Sequence, residues 1–217
     1  MSAVLSPVKP RMRGRIHQVA FFLSIPAGIV LIVLAKGAVA RTAAIIYAVS
    51  LSAVFGASAS YHVGTWSAPA LRRMKRLDHS MIFVLIAGSY TPITLLVLHG
   101  AWSVVILSLI WSMAAIGITL KLARIDGLSK LAATLYMSMG WLVVIPFVQL
   151  YHGLSTAGLT LLIAGGALYT LGAIVFAKRQ PDPNPAVFGY HEVWHAFIVA
   201  AAACHWAMIL LVLRAAA

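Results

Sequence analysis

The sequence predicts an all-α integral membrane protein, a bundle of seven transmembrane helices, and three observations carry that prediction. Of 217 residues, 62% are hydrophobic and only 9% are charged, and the mean hydropathy is +0.98, a composition that a water-soluble domain of this length does not sustain. The apolar residues fall into runs of about 20, the length a helix needs to cross the hydrocarbon core of a bilayer. The sixteen lysines and arginines lie between those runs rather than along one soluble face. The net charge of +12 therefore reads as a membrane-orientation signal and not as a nucleic-acid surface. The single cysteine, Cys204, lies inside the last apolar run and excludes an intrachain disulfide.

Residues 1–17 are polar and basic and read as a cytoplasmic N-terminal tail; residues 18–213 form the transmembrane domain. The first span is placed at 18–35. The Ala38-Val39-Ala40 that follows has the form of a signal-peptidase site, but the apolar run ahead of it is longer than a usual signal core and Lys36 stands just before it. Further spans are placed at 42–63, 78–98, 102–120, 131–151, 157–177 and 187–213. Pro26, Pro92 and Pro146 fall inside spans and are expected to kink them, and the run Gly56-Ala57-Ser58-Ala59-Ser60 gives the second helix a small-residue face for close packing.

Alternate loops differ sharply in basic charge. One set holds thirteen lysines and arginines, at 9, 11, 13, 15, 72, 73, 75, 76, 121, 124, 130, 178 and 179; the other holds three, at 36, 41 and 214. Basic loops stay in the cytoplasm, so the N-terminus is expected inside and the C-terminus outside.

That topology brings certain polar residues to one membrane face. Helix 2 ends inside at His62, helix 3 begins inside at Asp78, and helix 7 begins inside near His191 and His195. Histidines four apart share a helix face, so His191 and His195 can reach one ion. Three imidazoles with an open fourth position form the arrangement that activates water on zinc. Asp78 is a candidate general base, and Ser58, one turn before His62, a candidate donor to a developing oxyanion. Each has a plainer reading: Asp78 as a first-turn carboxylate facing its helix dipole, and Ser58 as a packing residue bonded to its own backbone. His99, His152 and His205 lie at other depths, and His17 and His79 read as interfacial. The stretch HEVWH is formally also a zincin-type HExxH with Glu192 as base. It lacks a third ligand, since position 201 is Ala201 and no carboxylate follows Glu192; Asp126 could serve only from a distant loop.

SASYH at 58–62, LDHSMIFVLIAGSYTP at 77–92 and HEVWH at 191–195 resemble the signature blocks of the hemolysin III proteins, the bacterial branch of the progestin and adipoQ receptor family, which is related to the alkaline ceramidase-like membrane hydrolases. The resemblance implies seven helices with the N-terminus inside, zinc held by residues matching His62, His191 and His195, and roles for residues matching Asp78 and Ser58. It implies hydrolysis of a lipid amide bond for the wider superfamily, lysis of cells by name, and reception for other relatives. The expectation is a protein of the bacterial inner membrane whose partners are membrane lipids, one of them a substrate whose amide or ester bond is cleaved. A zinc-containing sensor without turnover and a pore-forming cytolysin are the other readings.

Overall fold

A computed structural model describes residues 9–123 and 129–216. Residues 1–8 of the N-terminal tail, Arg124 and Asp126 lie outside the described residues. Among the described residues eight α-helices follow in order: α1 (Arg15–Leu34), α2 (Ala38–Val63), α3 (Ala68–Leu96), α4 (Ala101–Ala123), α5 (Ser129–Trp141), α6 (Phe147–Gly153), α7 (Thr156–Lys178) and α8 (Tyr190–Ala215). A 3-10 turn at Leu142–Val144 joins α5 to α6. No β-strand forms among the described residues; Asn184 and Phe188 make one isolated antiparallel bridge.

Six of these helices are long and apolar enough to cross a membrane, and α5 with α6 makes a seventh if the bent pair is one span. The bend is 56°. It falls at Pro146, which lacks the amide the helix needs and ends the regular ladder. Pro26 and Pro92, by contrast, sit inside continuous helices.

The outside of the bundle is hydrocarbon, and the inside combines large apolar side chains such as Phe83, Ile110 and Met208 with buried polar ones, so the apolar surface is not confined to the core as in a soluble protein. Val33 is 73% exposed, whereas Glu192 is 0% exposed. An outer face this apolar is a lipid-facing one, so the chain is a multi-pass membrane protein. In lipid the hydrophobic effect does not press helices together, so close van der Waals packing at small residues has to. A methyl group on Gly88 of α3 would lie 2.2 Å from Ser50 Oγ of α2, and one on Gly117 of α4 would lie 2.3 Å from the Phe83 ring of α3. Side-chain hydrogen bonds fasten further pairs: Trp206 Nε1 donates to Ala27 O at 3.0 Å, joining α8 to α1, and Tyr90 Oη to Met139 O at 2.7 Å, joining α3 to α5.

Helix α3 begins ten residues before the apolar span placed at 78–98. Ser67, Ala68 and Pro69 provide a start with proline in the first turn, and nothing between Pro69 and Leu77 breaks a helix. The basic residues Arg72, Arg73, Lys75 and Arg76 are therefore helical, on a turn-and-a-half that continues the span rather than in a loop. Asp78 lies about three turns inside α3, which removes the helix-dipole explanation for it. Helix α1 likewise begins at Arg15, so His17 belongs to the first span and not to the tail.

Candidate metal centre

The end of the bundle that carries residues 9–17, 60–78 and 178–195 gathers four histidines. Helix α2 delivers His62 from its last turn, and the first two turns of α8 deliver His191 and His195. The ring centroids of His62 and His191 are 4.8 Å apart, those of His191 and His195 4.6 Å, and those of His62 and His195 5.2 Å. One ring nitrogen from each can be chosen so that all three lie within 4.8 Å of one another. His62 and His195 are buried and His191 is partly so.

The three side chains fit a metal ion on the chemistry of their own atoms. His191 Nε2 and both ring nitrogens of His195 are buried with no hydrogen-bond partner. A buried polar nitrogen without a partner is costly, and coordination supplies the partner that is missing here. An all-imidazole set suits zinc, and equally copper, nickel or iron.

Asp78, on α3, reaches this end of the bundle through Ser58. Its side chain is 13% exposed and lies 3.7 Å from His79 Nδ1, so the two neighbours on α3 meet despite the 100° between them around the helix. Its carboxyl interacts with the side chain of Ser58. Ser58 is itself 3% exposed and its Oγ lies 2.8 Å from His17 Nδ1. Ser50, Ser89 and Thr91 return their hydroxyls to their own helix backbone, as membrane serines and threonines commonly do. Ser58 is bound side chain to side chain instead, which sets it apart from the plain packing serine.

Glu192, the middle residue of HEVWH, is committed elsewhere. One carboxylate oxygen is paired with Arg13 Nε, and the other accepts from Gly189 N at 2.9 Å, capping the first turn of α8. Each oxygen of this carboxylate thus has a structural partner, a guanidinium on one and a helix-cap amide on the other, an arrangement that fits a structural role better than that of a zincin base. The distant carboxylate considered for that reading, Asp126, is outside the described residues.

The segment before α1 lies across this end. Arg11 N donates to Ala186 O at 3.1 Å and Met12 N to Val187 O at 3.0 Å, which docks the N-terminal segment on the α7–α8 connection. Gly14, at φ 80°, packs directly on His62, where an added methyl would come 2.5 Å from His62 Cβ. The backbone needs both a left-handed conformation and no side chain, and glycine meets both requirements. This strap, the Arg13–Glu192 pair and the placing of His17 were not legible as site features from the sequence. One signal was available: the buried residues of α1 are His17, Ala20, Ser24, Gly28 and Leu31, a three-four spacing that puts His17 on the inward stripe.

A family profile described as Haemolysin-III related matches residues 5–206. The chain belongs to the hemolysin III family. Hemolysin-3 of Bacillus cereus is 36% identical over 191 residues, covering 86% of this chain and 84% of that protein. The Hemolysin-3 homolog of Bacillus subtilis (strain 168) is 34% identical over 198 residues, 89% of each chain. More distantly, the Adiponectin receptor protein of Drosophila melanogaster is 30% identical over 151 residues, 62% of this chain and 34% of that protein. The hemolysin III family thereby joins the progestin and adipoQ receptors, as the blocks at 58–62, 77–92 and 191–195 imply.

Proposed function

We propose that this hemolysin III protein is a zinc-dependent hydrolase of a membrane-lipid amide or ester bond, with His62, His191 and His195 holding the ion at the cytoplasmic face of a seven-span bundle in the bacterial inner membrane. The tail within residues 1–17 is cytoplasmic and the C-terminus lies outside, with α5 and α6 forming one broken span. The observation that carries the reading is the conjunction at one depth of three imidazoles, with unpartnered nitrogens on two of them, and a shielded Asp78–Ser58 pair.

Zinc bound there supplies Lewis acidity toward a carbonyl and toward water. Asp78 takes the proton of the attacking water and returns it to the departing nitrogen or oxygen as the carbon–heteroatom bond breaks. Ser58 has one proton to give, and donates it where negative charge develops on the carbonyl oxygen. A lipid substrate has a path: a cavity of about 580 Å³ runs between α1, α2 and α3, lined by Phe21, Ile29, Val49, Gly56 and Ser60 and walled by Met74, Leu77 and Met81. Its apolar lining suits an acyl chain, while His62, Asp78, His191 and His195 lie outside that lining.

Two other readings take support from relatives' names. The Drosophila protein is called a receptor, and a structural zinc in a sensor would need the same three ligands. The Bacillus proteins are called hemolysins, which fits a pore. The deciding experiment offers purified protein lipid extracts with and without chelator and scans for consumed species. The hydrolase reading expects turnover that requires metal and falls ~10²-fold or more in Asp78→Asn while zinc stays bound. Zinc retained with wild-type turnover in that variant would overturn the mechanism. Metal loss would make Asp78 a ligand. Liposome leakage that survives loss of the histidines would favour the pore.

A further inference from the structure

His17 has no place in the reading above, yet it makes two separate contacts with the site. Its ring lies over that of His195 with centroids 3.8 Å apart and planes 13° from parallel. Its Nδ1 is 2.8 Å from Ser58 Oγ. It also packs against Phe55, at 5.1 Å between ring centroids with the planes tilted by 57°. The residue is 3% exposed, and its Nε2 is buried with no partner.

Packing alone does not account for an imidazole in this position. A phenylalanine would fill the same space without burying an unpartnered nitrogen, which costs about 1–3 kcal/mol. The contacts indicate what offsets that cost. An ionised Asp78 can only accept hydrogen bonds, so before the reaction, while Asp78 holds no proton, the Ser58 hydroxyl proton is best directed at Asp78, and it is released toward the oxyanion once Asp78 is protonated. Ser58 Oγ then has to accept, and His17 Nδ1–H is the donor within reach. The same ring, held on Phe55, gives His195 a flat surface that fixes the plane in which its nitrogens can point. Histidine ligands depend on such outer contacts for their orientation.

We infer that His17 is a positioning residue of the metal centre, fixing the His195 ring by stacking and the Ser58 hydroxyl by its Nδ1 hydrogen bond. The position is secured from both sides: Arg13 pairs with Glu192 and Gly14 sits on His62, so the first turn of α1 is fixed to α8 and α2. This inference rests on the proposed metal site but not on the reaction assigned to it.

Two variants separate the two contacts. His17→Phe keeps a flat ring against His195 and removes the Nδ1 donor; His17→Asn keeps a polar group near the Nδ1 position and removes the ring. Zinc affinity, measured on the purified full chain by competition with a chromophoric chelator, should stay within about threefold of wild type in His17→Phe. It should fall about tenfold or more in His17→Asn, within the range of lost outer-shell support. His17→Phe should in turn make Ser58→Ala silent: any effect of Ser58→Ala on lipid turnover in the wild-type background should disappear in the His17→Phe background. A filling role predicts the reverse, a lower thermal midpoint in His17→Asn with unchanged zinc affinity in both variants, and that result would overturn the inference while leaving the three-histidine site intact. Absence of zinc from the wild type would remove both together. Equal losses of affinity in the two variants would show that the hydrogen bond supports the metal as much as the stack does and would overturn the division of roles.

Discussion

Replacing Arg13 with alanine tests whether Glu192 is a structural carboxylate. Glu192 is fully buried, while Arg13 keeps 21% of its side chain exposed, so removal of each partner has unequal consequences. In Arg13→Ala the carboxylate loses its counter-charge and cannot reach water; removing one member of a buried pair costs about 3–5 kcal/mol, and the partial exposure of Arg13 places the loss near the lower figure. In Glu192→Gln the guanidinium can turn to solvent and the amide oxygen still accepts from Gly189 N, so the loss is about one hydrogen bond to a charged group, roughly 1.5–3 kcal/mol. The double variant carries no stranded charge and should be more stable than Arg13→Ala alone. Thermal midpoints of the four proteins in one detergent give the coupling directly. Strictly additive losses would refute the pairing. Zinc content of Glu192→Gln should equal that of wild type, and lipid turnover should persist; abolished turnover in a folded, zinc-loaded Glu192→Gln would restore Glu192 as a general base.

Other expectations follow from single contacts. Ser58→Ala should retain zinc and reduce turnover less than Asp78→Asn does, since one donor is removed and the base remains; a larger loss than in Asp78→Asn would contradict the roles given. Gly117→Val forces a side chain into the Phe83 ring, where even a methyl would stand at 2.3 Å, and should cost about 1–3 kcal/mol, read as a lower thermal midpoint; Gly166→Val, with open space around it, should not. Reporter fusions after Arg179 should report the cytoplasm and fusions after Arg214 the opposite side, because basic loops alternate thirteen to three; both on one side would mean that α8 does not span.

The helices were legible because a run of about 20 apolar residues has few alternatives in a bilayer. Their ends were not, since hydropathy marks where lipid begins and not where hydrogen bonding stops: Arg72 to Arg76 are charged and still helical. The convergence of His62, His191 and His195 could be read because alternation of the spans tells which helix ends share a face. It says nothing of neighbours in the plane. His17 shares that face too, and only packing distinguishes a histidine stacked on His195 from one left at the interface. The ion pair of Arg13 with Glu192 joins residues 179 apart in sequence, with no periodicity to announce it. Pro146 stands at a break between helices where Pro26 and Pro92 sit inside continuous ones, a difference that the residue itself does not announce.

Metal content of the purified chain tests the central claim most directly. Wild-type protein should carry about one zinc per chain, and His62→Ala, His191→Ala and His195→Ala should each be strongly depleted, because two remaining imidazoles bind poorly. His99→Ala, at another level of the bundle, should keep its zinc. Equal zinc in the wild type and all three site variants, or none in the wild type, would contradict the account.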